Sequence, residues 1–141
     1  MQTSLTLDWA DGSYDFRLPF AAGAEIERKA NVGIETIYRR VMTGDAYTVD
    51  VVEIIRQGLL GGTGGMVDGR PVETKPALVN ALIERYVIGR EALPFLQNVE
   101  VAQAILVVFM QGHESAQKKS AADDPELTSE LTQPRSSPTA P

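Results

Sequence analysis

The first group in this chain that could carry chemistry is His113, the only histidine. A protein metal site needs several converging ligands, and the sequence holds neither a second histidine nor a cysteine. Catalysis by a serine, histidine and aspartate set needs an imidazole that packing holds rigidly. Because the apolar pattern of the chain stops at His113, we interpret this residue as a solvated helix end that suits the helix dipole. We expect no metal site here.

A run of glycines at 61–65 is the second candidate, since glycine-rich loops cradle phosphate groups. A P-loop needs a lysine and then a serine or threonine after its last glycine, whereas Met66 and Val67 follow here. The dinucleotide pattern also fails, because Val67 stands where its third glycine belongs and because the run follows a predicted helix. We therefore expect 61–71 to be a flexible connection, and we expect no cofactor.

Two pairs of carboxylates remain, Glu25 with Glu27 and Asp123 with Asp124. General acid–base catalysis uses two carboxyl groups that stand together in different environments. The first pair projects from different faces of a predicted helix, and the second lies in a polar segment. We expect no catalytic residues and predict that the protein is not an enzyme.

The composition narrows the class of partner. The net charge is −6 and the isoelectric point is near 4.8, which argues against nucleic-acid binding. Arg39 and Arg40 form a basic doublet, which we interpret as a solvated helix face where Glu35 pairs with Arg39. No apolar run is as long as the about 18 residues that a helix needs to span a bilayer. The N-terminus has no signal-peptide pattern. With no cysteine, the sequence indicates a cytoplasmic protein that does not enter a membrane.

The chain changes character at residue 113. Residues 1–112 show helix and strand periodicity, whereas 113–141 hold four of the eight prolines and only two large aliphatic residues, Leu127 and Leu131. Such a segment buries too little apolar surface to offset the entropy of ordering it. We predict one domain over 1–112 and a disordered tail rich in proline, serine, threonine and acidic residues over 113–141.

The domain is predicted to be α+β and mostly helical. Apolar and polar residues alternate on both sides of Asp11 and Gly12, which predicts a β-hairpin over about 4–19. A tight hairpin turn needs residues with positive φ, and we expect Asp-Gly to supply them. Period-3.6 patterns then predict five helices, the last ending at about 111. They cover 21–30, 34–42, 48–60, 77–87 and 94 to about 111. In the third helix, Thr48 is the expected N-cap, and Asp50, Glu53 and Gln57 are expected to form its solvated stripe.

The last helix is the candidate for partner binding, because apolar residues cover every side of it between 104 and 110. A helix of this kind is usually buried, and that reading stays open. Six residues are expected to face the core: Phe95, Leu96, Val99, Ala102, Leu106 and Phe109. Ile105, Val108 and Met110 are then surplus, and we predict that they form a partner-facing stripe.

Short motifs resemble those of a known family. Leu5-Thr6-Leu7, Tyr14-Asp15-Phe16-Arg17-Leu18, and Phe20-Ala21 leading to Glu25-Ile26-Glu27 resemble the opening of the gene transfer agent family of small tail proteins. The segment Val49–Gly61, with Ile54-Ile55-Arg56-Gln57-Gly58-Leu59, is similar to a helix of that family. The resemblance covers residues 5–112 and rests on fold positions, so it identifies no binding residue.

The resemblance implies a tail assembly chaperone of a phage, prophage or gene transfer agent. Its expected partners are the tape measure protein and the tail tube protein, with self-association also open. One alternative is a structural minor tail or connector protein of the particle. Another is a regulatory domain of the host that binds peptides in an apolar groove.

Overall fold

A computed structural model describes residues 4–112 of the chain. It confirms the α+β, mostly helical fold and adds a second hairpin to the first, giving a four-stranded antiparallel sheet whose strands lie in chain order. A π-helical segment, Glu84–Ile88, directly continues the fourth helix. The elements are β1 (Ser4–Trp9), β2 (Gly12–Arg17), α1 (Phe20–Ala30), α2 (Ile34–Met42), α3 (Thr48–Gly61), β3 (Gly64–Val67), β4 (Arg70–Val72), α4 (Pro76–Ile83) and α5 (Phe95–Gln111). The predicted tail over 113–141, which begins with His113, lies outside the described residues.

The first hairpin forms as predicted, but its turn does not use the expected residue. Trp9 pairs with Gly12, so Ala10 and Asp11 make the turn, and Ala10 carries the positive φ of 57°. Gly12 has another role, since a Cβ at this position would overlap the carbonyl oxygen of Met66 in β3. Glycine is therefore needed here for close packing against the next strand, and the expectation about its φ was wrong.

The prediction of a flexible connection over 61–71 was also wrong. Gly61 ends α3, and from Gly64 onward the segment forms β3 and β4, joined by Asp68 and Gly69 with φ values of 52° and 76°. Two successive residues of positive φ match a type I′ hairpin turn, which favours Asp-Gly. The same dipeptide signal that indicated the first hairpin was therefore present in this segment too.

The glycines of this segment let its backbone lie against β2. A Cβ on Gly62 would overlap the carbonyl oxygen of Asp15, and one on Gly65 would overlap that of Ser13. The Asp15 carboxylate also accepts hydrogen bonds from the backbone N–H and the hydroxyl of Thr63, at 2.9 and 3.0 Å. Glycine at these two positions therefore lets the backbone of the run lie directly against β2.

Helix α3 lies at the centre of the domain, in contact with β2, α1, α4 and α5. Four of its side chains, Val51, Ile54, Ile55 and Leu59, are fully buried, and each such burial contributes about 1.5–3 kcal/mol. A Cβ on Gly58 would lie 3.1 Å from Ile105 and 3.2 Å from Phe16. This glycine therefore lets α5 and the sheet approach the two sides of α3.

The short helices end where the sequence indicates. α1 stops at Asn31, whose φ of 60° is left-handed and whose N–H bonds to the carbonyl of Glu27. The Glu27 side chain then accepts a 2.8 Å hydrogen bond from the N–H of Ile34, which satisfies a free donor at the start of α2. α3 begins one residue differently from expectation, because Tyr47 is its N-cap and Thr48 is its first helical residue.

Candidate functional site

The structure separates the three residues predicted to bind a partner. Ile105 lies in the hydrophobic core and Val108 is buried, whereas Met110 is partly exposed. The expectation that Ile105 and Val108 are surplus on the surface was therefore wrong, because α5 packs against α3, α2 and β1 on several sides. Phe95 and Leu96, expected to face the core, are exposed instead. Both residues lie in the first turn of α5, and the buried positions of this helix begin only at Asn98.

An apolar concave surface lies elsewhere, between α1, the start of α3 and the π-helical segment. We call it the α1–α3 groove; its volume is about 690 Å³. Two aliphatic side chains in its lining are unusually exposed for their type, Val49 at 64% and Ile88 at 55%. The lining residues are Ile26, Lys29, Ala30, Thr48, Val49, Asp50, Val52, Glu53, Val87 and Ile88.

Two of these lining residues are buried acids, which corrects the prediction that they form a solvated stripe. Asp50 is 1% exposed and Glu53 is 6% exposed. The guanidinium of Arg40 donates two hydrogen bonds to Asp50, at 2.6 and 3.2 Å, and also stacks 4.0 Å from the ring centre of Tyr47. Arg40 is therefore not part of a solvated doublet. It is the partner that makes burial of Asp50 tolerable.

Glu53 is held by a second set of donors. Lys29 and Arg56 reach one carboxylate oxygen at 3.4 and 3.2 Å, and the amide of Gln57 reaches the other at 2.8 Å. The bond from Lys29 joins α1 to α3 across the groove. The polar wall of the groove is therefore fixed in place before any partner arrives, which lowers the entropy that binding must overcome.

The π-helical segment supplies the remaining wall. The N–H of Gly89 bonds to the carbonyl of Glu84, five residues back, at 2.7 Å, and the N–H of Leu93 bonds to that of Tyr86 at 2.9 Å. Widened helical turns of this kind recur at functional sites. Helical periodicity cannot reveal this widened turn. The one signal in the sequence is Ile88, an apolar residue directly before Gly89 that lies beyond the predicted helix over 77–87.

A second groove lies between the first hairpin and α5. We call it the hairpin–α5 groove; its volume is about 670 Å³. Its lining residues are Leu7, Asp8, Trp9, Ala10, Gly12, Leu93, Gln97, Glu100, Val101 and Ala104. The buried ring of Trp9 forms edge contacts with the rings of Tyr14, Phe16 and Tyr86, at centre distances of 5.9–6.1 Å. This wall of the groove is therefore rigid.

Residues 4–112 contain no cluster of three or more histidine, cysteine, aspartate or glutamate side chains placed to hold a metal ion. In the same part of the chain, no helix is long and apolar enough to cross a membrane. The α1–α3 groove and the hairpin–α5 groove are both lined by aliphatic side chains and a few charged ones, and surfaces of this kind suit binding of polypeptide segments.

Comparison with known proteins gives one family. A family model described as "Phage tail tube protein, GTA-gp10" matches residues 2–112. No curated protein and no solved structure matches. The family match agrees with the resemblance seen in the sequence at the level of a phage or gene transfer agent tail protein.

Proposed function

The chain belongs to this family of phage tail proteins, and on that premise we propose that it is a tail assembly chaperone. In this proposal it is not an enzyme. It binds apolar helical segments of the tape measure protein in the host cytoplasm and helps to recruit tail tube subunits around them. The single observation that carries the proposal is the α1–α3 groove, with Val49 and Ile88 exposed along its walls.

Apolar side chains of a bound helix would fill this groove. An amphipathic helix docks by placing residues at spacings of three and four into a hydrophobic channel. The groove offers aliphatic contacts from Ile26, Ala30, Val52 and Val87 inside and the two exposed residues outside. A long helical tape measure protein exposes apolar stripes before the tube encloses it, and such stripes aggregate unless they are covered.

The charges around the groove suit reversible binding. Lys29 is exposed at the rim, and the two buried acids are already paired with Arg40, Lys29 and Arg56. A partner therefore has to remove little water from unpaired charges when it docks, and a polar, solvent-accessible rim is typical of interfaces that are not permanent. A chaperone needs both properties, since the tube must later displace it.

The experiment is co-expression with the tape measure protein, followed by affinity purification of the full chain. We expect soluble co-purification of a long helical protein that is insoluble alone. Val49→Asp should abolish it, because the substitution places a charge on the apolar wall without touching the core. Leu60→Asp, at the exposed far end of the same helix, is the matched control and should retain binding. Loss of binding in both variants, or in neither, would exclude this groove.

The second candidate is a structural tail component, which the description of the matching family as a phage tail tube protein favours. A tube subunit must present two complementary surfaces that repeat from copy to copy. Mass spectrometry of purified particles separates the two functions. A structural subunit is present in many copies in the finished tail, whereas a chaperone is absent from it.

A further inference from the structure

Lys29 is the one cation among the residues that line the α1–α3 groove. Its side chain is 48% exposed at the rim, and its ammonium lies 3.4 Å from the carboxylate of Glu53. A lysine ammonium has three N–H donors, and within residues 4–112 the contact with Glu53 is the hydrogen bond that Lys29 makes. Donors of this ammonium therefore remain for a docked chain.

Glu53 holds the Lys29 ammonium at the rim but does not depend on its charge. Arg56 donates to the same carboxylate oxygen at 3.2 Å, and the amide of Gln57 donates to the other oxygen at 2.8 Å. Both of these donors come from α3 itself, whereas Lys29 comes from α1. Because Arg56 already compensates the buried carboxylate, Lys29 adds a positive charge that Glu53 does not need.

Two further acids near Lys29 have arginine partners of their own. Asp50 is paired with Arg40, and Glu25, one turn before Lys29 on α1, is paired with Arg28. The second oxygen of Asp50 has no hydrogen-bond partner within residues 4–112, but it is buried from solvent and offers no contact to a docked chain. Lys29 is therefore a positive charge beyond those that compensate these acids.

The Lys29 ammonium borders the apolar part of the groove. Ile26 and Ala30, three positions before and one after on α1, line the groove together with Lys29. Val49 and Ile88 supply the exposed aliphatic surface of the other walls. A helix that packs its apolar stripe on this surface brings the residues at the edge of the stripe to the rim. A charge at the rim of an interface selects among partners more than it adds affinity.

We infer, on the basis of the proposed function of this groove, that the helical segment bound there carries an aspartate or glutamate at the edge of its apolar stripe, and that Lys29 recognises this acid. The apolar residues of the segment fill the groove at spacings of three and four. The carboxylate accepts hydrogen bonds from the Lys29 ammonium, which Glu53 positions. A segment with lysine or arginine at the same place is disfavoured, because it meets a like charge.

The test uses the full chain and three peptides of about 18 residues, a length at which helices form in water. The peptides share a leucine stripe at spacings of three and four, and they differ in the residues at its edges, which are glutamate, glutamine or lysine. These three residues have similar helix propensities. We expect calorimetry to show the glutamate peptide binding about two- to five-fold more tightly than the glutamine peptide, as one exposed ion pair provides. The lysine peptide should bind the most weakly.

Variants assign the preference to Lys29. Lys29→Gln should bind the glutamate and glutamine peptides equally, because it removes the charge and keeps a long polar side chain. Lys29→Glu should reverse the order, so that the lysine peptide binds more tightly than the glutamate peptide. Lys75→Gln is the matched control, since this lysine is 76% exposed and lies outside the groove lining. It should keep the preference, and circular dichroism checks that each variant is folded.

Equal binding of the glutamate and glutamine peptides to the unmodified chain would overturn the inference, and so would an unchanged preference in Lys29→Gln. Loss of the preference in Lys75→Gln would also overturn it, because overall charge would then be the cause. In each case the proposed function stands if all three peptides bind and Val49→Asp abolishes their binding. Absence of binding by all three peptides would overturn both proposals.

Discussion

The indole nitrogen of Trp9 donates a 2.9 Å hydrogen bond to the side-chain oxygen of Asn98, and this bond joins the end of β1 to the first turn of α5. The amide nitrogen of Asn98 in turn donates to the carbonyl of Tyr86 at 3.2 Å, which ties the π-helical segment to both. One buried asparagine therefore positions a wall of each groove.

Replacing Asn98 by alanine should destabilise the fold by about 1–3 kcal/mol, because the buried indole N–H loses its acceptor. Urea denaturation followed by fluorescence measures this directly, since Trp9 is the only tryptophan. Gln97→Ala, at the exposed neighbouring position, should change stability by less than about 0.5 kcal/mol. Equal losses in the two variants would show that the hydrogen bond contributes nothing.

Arg40→Ala should cost about 3–5 kcal/mol, because it leaves Asp50 charged and buried without its partner. Arg39→Ala is the control, since the Arg39 side chain is exposed and donates a long, 3.4 Å hydrogen bond to Thr36. Adding Asp50→Asn to Arg40→Ala should restore part of the lost stability by removing the unpaired charge. Thermal melts of all four proteins test this, and a double variant no more stable than Arg40→Ala would contradict it.

Gly62→Ala should destabilise the protein by about 2–3 kcal/mol, because the new methyl group overlaps the carbonyl oxygen of Asp15 and forces β3 away from β2. Gly33→Ala is the matched control, since the nearest atom to its Cβ is a side-chain oxygen of Glu27 at 3.9 Å. Urea midpoints compare the two variants. A stable Gly62→Ala protein would mean that the glycine run does not pack against the sheet.

Stability should fall steeply above pH 10. Burial, helped by the hydrogen bond to Asp11, raises the pKa of Tyr14 well above its ordinary value near 10. Above that pH the unfolded chain releases this proton while the folded chain keeps it, so stability decreases as pH rises. Tyr14→Phe should lose less stability than the parent between pH 9 and about pH 11.5 in urea titrations. Equal losses in the two proteins would rule out Tyr14 as the cause.

Deleting 113–141 should leave the melting temperature nearly unchanged, because the composition of this segment offers the domain little apolar surface to bury. Calorimetry of the full and shortened chains measures the difference. A large decrease on deletion would show that the segment packs against the domain.

Local patterns predicted the local structure well. The apolar spacing over 34–42 matches α2, and Asn31 ends α1 with the left-handed φ that its side chain tolerates. These features depend on residues within one or two turns of each other, so a single sequence window contains the information. The buried positions Tyr14 and Phe16 of β2 follow from alternation for the same reason.

Contacts between distant residues decided the rest. The glycine-rich run at 61–65 indicates flexibility on its own, and only pairing with β2, about 50 positions earlier, makes Gly64 and Gly65 part of a strand. Asp50 and Glu53 appear solvated by helical spacing, and they are buried because Arg40 and Lys29 arrive from other helices. The two grooves were beyond prediction for the same physical reason. A groove is the space between elements, so it is set by packing across the fold and not by periodicity within one segment.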